Sequence, residues 1–353
     1  MGAFENQFGK ISASIFKENI FGQCGAERKE VICGPSFGVD TSIIDLGNDQ
    51  VLAVSSDPLS LIPSLGMKVS AWLSVHLLAN DMSTTGLAPQ YAQFVLNLPP
   101  SLPREQFEEY WLHIHQLCTE TNIAITGGHT GQIPGQESTI AGGGTMFLHG
   151  PKDKVITSNS AQPGDSIIVT KQAAISSSAL LAMAFPEHVK QQCGEHTQVQ
   201  VANNFWQISV LPEALLASQV LKPQQELHAM HDVTEGGVLG AIYEMATASG
   251  CGIEVHTDKI SVSAEVQQVA GLFKIDPLLS IGAGSMIMSV KKGTEKILLD
   301  ALAAADIPAA HVGTFTEEQN FLVEADESSK AINYDGIDPY WEAFFTALNA
   351  GLK

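Results

Sequence analysis

Val51-Leu52-Ala53-Val54-Ser55-Ser56-Asp57 is a short apolar run that stops on a carboxylate. Residues 51–55 read as a buried strand, and Asp57 closes it. Ten residues on, residues 67–80 place Val69, Trp72, Leu73 and Leu77 at helical spacing. That spacing predicts an amphipathic helix with the four side chains in the core. It too runs into a carboxylate, because Asp81 follows Asn80. A strand and a helix that both end on aspartate put acidic groups where chain elements meet, and such groups can converge on one cleft.

Further elements extend this pattern in both directions. Upstream, Gly34-Pro35-Ser36-Phe37-Gly38 reads as a glycine loop, and residues 39–44 read as a strand. The loop formally fits the serine-hydrolase elbow, but that motif needs a helix after it, and here a strand follows. Downstream, residues 91–98 alternate like a strand and stop at Pro99-Pro100. Residues 103–121 form a helix from a starting proline, with Phe107, Trp111, Ile114 and Leu117 on one face. Residues 123–126 are a short strand entering Gly127-Gly128. Residues 139–148 are glycine-rich and then strand. His113 and His115 lie two apart on a helix and point to different faces, so they chelate poorly.

Residues 150–164 break the pattern with Pro151 and the turn Pro163-Gly164-Asp165. The expected domains are therefore 1–157 and 158–353. In the second, strands fall at 166–170, 252–256, 285–290, 310–315 and 321–324. Helices fall at 175–185, 201–218, 237–249 and 294–305. Strands alternating with helices in both halves predict two α/β (α+β) domains.

Composition narrows the role. The 353 residues are 44% hydrophobic, with 18 Lys plus Arg against 38 Asp plus Glu, a net charge of −20. So acidic a surface repels phosphate backbones and argues against nucleic-acid or anionic-membrane partners. No apolar run is long enough for a membrane span, and no secretory signal is visible, so a cytoplasmic location is expected. Five widely spaced cysteines form no C-x-x-C pair, which disfavours a disulfide framework or structural zinc site. Neither a P-loop nor a dinucleotide-binding glycine fingerprint occurs.

The chemistry-bearing residues that remain are acidic groups at element ends: Asp40, Asp57, Asp81, and Asp232 within His231-Asp232-Val233-Thr234-Glu235-Gly236-Gly237. Mg²⁺ takes oxygen ligands of this kind. Two glycine runs, Gly127-Gly128-His129-Thr130-Gly131 and Gly142-Gly143-Gly144, read as flexible loops whose backbone could approach a phosphate.

The order of these segments carries a resemblance. G-x-D-x-S around Asp40, V-S-S-D at Asp57, N-D-x-x-x-x-G-x-x-P from Asn80, G-G-H-T at Gly127 and H-D-V-T-E-G-G-V-L-G from His231 resemble the PurM-like superfamily of aminoimidazole ribonucleotide synthetase. Within it the motifs are most similar to the hydrogenase-maturation carbamoyl dehydratase, HypE-like branch. The resemblance implies two α/β domains, with the N-terminal domains pairing into a dimeric β-barrel. It implies a homodimeric Mg²⁺·ATP-dependent enzyme that phosphorylates a carbonyl or amide oxygen of a small substrate. Asp40, Asp57 and Asp81 would be metal ligands. Asn80, Gly127, Gly128, His129 and Thr130 would lie beside ATP. Asp232 and His231 would be catalytic.

Several positions depart from the family pattern. Val39 stands where a second Asp is common, Pro58 follows Asp57, His129 replaces an acidic residue, and Ala283 replaces a Glu. The C-terminal cysteine of the carbamoyl dehydratase is absent from Asn349-Ala350-Gly351-Leu352-Lys353. Two alternatives follow: a small-molecule kinase resembling thiamine-monophosphate kinase, and a nucleotide- or partner-binding protein without turnover.

Overall fold

The computed structural model describes residues 9–136, 138–325, 328–332, 334 and 336–353. Thirteen strands among them fall into two sheets. The first holds β1 (Val31–Cys33), β2 (Ser42–Gly47), β3 (Gln50–Ser60), β4 (Tyr91–Leu98), β5 (Ala124–Gln132) and β6 (Ile140–Pro151), in the order β1-β2-β3-β6-β4-β5. Only the β4–β5 pair is parallel. The second holds β7 (Ser166–Thr170), β8 (Leu227–Asp232), β9 (Gly252–His256), β10 (Met286–Val290), β11 (Ala309–Thr316), β12 (Phe321–Ala325) and β13 (Ser328–Ala331). Its order is β13-β12-β9-β11-β7-β10-β8, which leaves β8 on an edge.

Eleven helices complete the described chain: α1 (Ala13–Asn19), α2 (Met67–Ser83), α3 (Arg104–Glu120), α4 (Ile175–Ala184), α5 (Pro186–Cys193), α6 (Glu195–Asn203), α7 (Leu211–Val220), α8 (Gly237–Ser249), α9 (Ala264–Phe273), α10 (Glu295–Ala304) and α11 (Pro339–Asn349). The mixed α/β class expected from the sequence is what the molecule has.

Helix α2 is the pivot. It forms as expected but is not amphipathic. Leu78, Ala79 and Met82 pack into the core of the first sheet, while Val69 and Leu73 pack on Ile175, Phe205 and Ile208 of the second half. A helix covered on two sides is apolar nearly all round. Its polar residues then serve as ties. Ser74 Oγ meets Tyr110 Oη at 2.8 Å, and Asn80 reaches across to the second half.

The glycine runs also differ from the loop reading. Residues 127–131 lie inside β5, and 142–144 lie inside β6. Gly128 adopts φ +142°, and a Cβ there would sit 1.9 Å from the Phe94 carbonyl oxygen. Close strand approach therefore demands glycine at this position. The helix expected over 201–218 is two helices, α6 and α7, separated by a short 3₁₀ turn, with Pro212 in the first turn of α7. Among the described residues, no helix is long and apolar enough to cross a membrane.

Candidate active site between the two halves

Four elements deliver carboxylates to one place. Asp57 lies on β3, with the same parity as the buried Ser55 and Leu59, and so faces α2. Asp81 sits in the last turn of α2, where Ser55 Oγ donates to its Oδ2 at 2.7 Å. The Asp81 carbonyl accepts from Thr41 Oγ1 at 3.0 Å and Thr84 Oγ1 at 2.6 Å, which ties the turn bearing Asp40 to the helix end. Asp40 accepts from Ser158 Oγ at 2.8 Å. Asp232 ends β8, which enters α8 through Gly236 and Gly237. Gly237 has φ +64°, and a Cβ there would meet the Leu278 carbonyl at 2.6 Å, so the turn needs glycine.

The electrostatics record the crowding. Burial and the Asp40 carboxylate push Asp232 up to about 8, against an opposing pull from His231. Burial and Glu235 raise Asp57 to about 6. Burial, with Asp232, Asp57 and Asp40, holds Asp81 well above the carboxylate range. Like charges this close disfavour one another's ionised forms, and a bound cation relieves them all. His231 shows the converse. Burial opposes its charge, but Asp40 and Glu244 outweigh that and raise it to about 10. Its Nδ1 lies 3.1 Å from Asp40 Oδ2, and its Nε2 lies 3.5 Å from Glu244 Oε2. Asp232 is 1% exposed, and neither of its carboxylate oxygens has a hydrogen-bond donor.

Domain models of one family match both halves of this arrangement. The N-terminal domain model of AIR synthase related protein matches residues 38–147, and the C-terminal domain model matches residues 162–326. The chain belongs to the AIR synthase related family. A Methanocaldococcus jannaschii protein named for hydrogenase expression/formation is 29% identical over 237 residues, 65% of this chain and 64% of its own length. The match thus spans a little under two thirds of that relative. A selenide, water dikinase of the same organism is 26% identical over 297 residues, 81% of this chain and 82% of its own length. A solved structure, hydrogenase maturation protein HypE in complex with ATP, is similar in fold with a TM-score of 0.66 at 17% identity. The match covers 94% of this chain and 97% of that one.

Within this family fold, not every residue singled out from the sequence reaches the cleft. Asp40, Asp57, Asp81, His231 and Asp232 come together. Asp57 and Asp81, however, stand outside the compact group of possible metal ligands, which is Asp40, His231 and Asp232. Asn80 does not face the cleft: it is fully buried, its Nδ2 donates to the Ile208 carbonyl at 2.9 Å, and its Oδ1 accepts from Val210 N at 2.9 Å. Each end of the amide is bonded to backbone of the second half, so Asn80 bridges the halves. Gly127, Gly128, His129 and Thr130 lie on the edge strand β5, with β6 and β4 between it and β3. Three strand spacings, about 14 Å, separate them from Asp57's strand.

The structure also adds residues that the sequence reading missed. Glu244 on α8 receives Lys10 Nζ at 2.7 Å. Glu235 is bonded by the Lys10 backbone N–H and by Trp341 Nε1. Lys10 is thereby tied to both Glu235 and Glu244. The position of Glu244 on an otherwise apolar buried helix face was the available signal. For Lys10 there was none. A separate cleft of about 500 Å³, lined by Cys33, Ile43, Val155, Thr157, Asn159 and His228 among others, contains none of the site carboxylates.

Proposed function

We propose that this chain is a Mg²⁺·ATP-dependent enzyme that phosphorylates, and so activates, a carbonyl or amide oxygen of a small substrate. The observation that carries the reading is the gathering of Asp40, Asp57, Asp81 and Asp232 in one cleft, with Asp232 buried and lacking a donor. Phosphoryl transfer asks little of a protein beyond positioning and charge neutralisation, and such a cleft supplies both. Bound Mg²⁺ would screen the phosphate charge, held by Asp57 and Asp81 with Asp40 beside them. Ser55 and Ser158 keep two of these carboxylates in place. Asp232 and His231 line the part of the cleft where the acceptor oxygen would react. The ATP-bound HypE of similar fold and the dikinase relative support nucleotide use.

The reading includes a homodimer in the cytoplasm, built from domains 1–157 and 158–353. Edge strand β5 and the outer face of the first sheet, with Val95 and Ile140 exposed, offer a surface that a second copy would cover. In that assembly residues 127–130 would serve the nucleotide. A kinase that releases the phosphorylated molecule as product is the second reading, and the dikinase relative favours it. Product analysis separates the two, since activation yields a dehydrated or condensed product and free phosphate.

The decisive experiment is calorimetric binding of a non-hydrolysable ATP analogue with and without Mg²⁺. Binding is expected to require Mg²⁺ and to weaken at least tenfold, about 1.4 kcal/mol, in Asp57→Asn. No binding to the wild type overturns the proposal.

A further inference from the structure

The cleft of about 500 Å³ that stands apart from the site carboxylates lies between strands β1 to β3 of the first sheet and the segment 152–162 that joins the halves. Its volume is ordinary for a small-molecule site. The lining divides by chemistry. Ile43 on β2, Val51 on β3, and Val155 and Ile156 of the joining segment supply aliphatic surface. Asn159, Gln162 and His228 supply polar groups.

His228 is the fixed polar point. It is 6% exposed, and its Nδ1 donates to Asp165 Oδ2 at 2.7 Å. The same oxygen accepts from Ser289 Oγ and Gln162 N, so the ring is held from behind. With its Nδ1 proton spent on a carboxylate, the ring presents a lone pair at Nε2. Among the described residues Nε2 has no partner, so the polar atom His228 brings to the cleft is an acceptor. Asn159 accepts from Thr157 Oγ1 at its Oδ1, which leaves Nδ2 to donate. Gln162 enters the Asp165 cluster through its backbone, and among the described residues its side-chain amide is unused.

The surrounding charge is negative. Asp165 stands behind His228. Asp40 stands behind Ser158, whose Oγ donates to it at 2.8 Å and which lies between the lining residues Thr157 and Asn159. Burial and Asp40 push up the thiol of Cys33, which lines the same cleft. The ammonium of Lys152 is already taken by Asp45 at 2.7 Å. A phosphate or carboxylate entering here would meet two carboxylates and no free lysine or arginine of the lining.

We propose that this cleft binds a neutral nitrogen heterocycle of the nucleobase class, which donates an N–H to His228 Nε2 and accepts from Asn159 Nδ2. Such a ligand is polar along its edge and apolar on its faces, which matches a lining that is part imidazole and amide, part aliphatic. The inference goes beyond the proposed function and does not depend on nucleotide use at the carboxylates.

The test uses the full chain and the free bases adenine, hypoxanthine, cytosine and uracil, by calorimetry and by the rate at which N-ethylmaleimide alkylates Cys33. At least one base is expected to bind once per chain with Kd below about 1 mM. At ten times Kd it should slow alkylation of Cys33 about tenfold and leave the exposed Cys24 unchanged. The monophosphate nucleotide of that base should bind at least about tenfold more weakly. His228→Phe removes the acceptor and should weaken the base at least about tenfold. Because that change also disturbs the Asp165 cluster, Ser160→Trp serves as the second variant. Ser160 is exposed and lines the cleft, and an indole there should fill it and abolish the protection of Cys33. No base below about 1 mM, binding without protection of Cys33, or protection that survives Ser160→Trp would overturn the proposal. So would a monophosphate that binds as tightly as its base. Displacement of the base by the ATP analogue would place it among the carboxylates and overturn the proposal too, while base binding in a chain that ignores the ATP analogue would keep this site and remove the nucleotide reading.

Discussion

Strand β8 carries two buried histidines three residues apart, and their surroundings are opposite in kind. His228 sits in a β-bulge, where the register against β10 shifts between Ser289 and Val290. Its Nδ1 donates to Asp165 Oδ2 at 2.7 Å, and the same oxygen accepts from Ser289 Oγ at 2.6 Å and Gln162 N at 2.9 Å. Three donors converge on one carboxylate oxygen, and the cluster clips β8 and β10 to the turn before β7. His231 stands among Asp40, Asp232 and Glu244 at looser ion-pair distances, and Asp232 has no donor at all. A buried histidine beside a carboxylate is common to both, so burial alone does not mark function. Satisfaction does: a carboxylate with every need met holds strands together, and one left short is kept for a ligand.

Breaking the satisfied pair should cost most. Asp165→Ala leaves His228, Ser289 and Gln162 N without their acceptor, and a loss of about 3–5 kcal/mol is expected in urea unfolding. The folded variant should still bind metal. A loss under about 1 kcal/mol would erase the contrast between the two histidines.

Neutralising the unsatisfied side should do the reverse. Asp232→Asn is expected to stabilise the metal-free protein by about 1 kcal/mol at pH 8, at the expense of metal binding. The sign follows from the raised carboxyl. Folding lifts Asp232 from 3.8 to about 8, so the folded state holds its proton more tightly. The stability gained this way is complete below about pH 4 and is lost as pH rises through 8. Asparagine suffers no such loss, so the advantage of the variant should grow between pH 4 and 8. An advantage independent of pH in thermal melts would show that Asp232 is not held protonated by its surroundings.

Lys10→Met should have the smallest effect. The Lys10 side chain is 42% exposed although its partner Glu244 is buried, so solvent screening leaves about 0.5–1 kcal/mol to lose. Repeating the unfolding in high salt should shrink the difference further.

These contrasts bear on what the sequence made legible. Residues 91–98, 237–249 and 252–256 were readable as elements because one clear period runs through each and Gly or Pro marks an end. Strand β8 was not. Every residue of Leu-His-Ala-Met-His-Asp is buried, so no alternation exists, and two histidines and an aspartate look like a turn. The acidic residues of the cleft were legible because each ends an element. At Asn80 and residues 127–130 residue type cannot distinguish a ligand contact from a packing need: an amide can clamp backbone, and a glycine can admit a neighbouring strand. Glu244, Ser158 and Lys10 come from distant parts of the chain, and only the folded arrangement brings them together.

The clamp formed by Asn80 has a consequence of its own. Val210 donates its amide proton to Asn80 Oδ1, and that bond crosses from the second half of the chain to a helix of the first. The proton is thus shielded by a contact between halves, outside any sheet or helix ladder of its own. Deuterium uptake at this one amide therefore times the parting of the two halves, independently of fraying within either, and gives cleft opening a clock already built into the backbone.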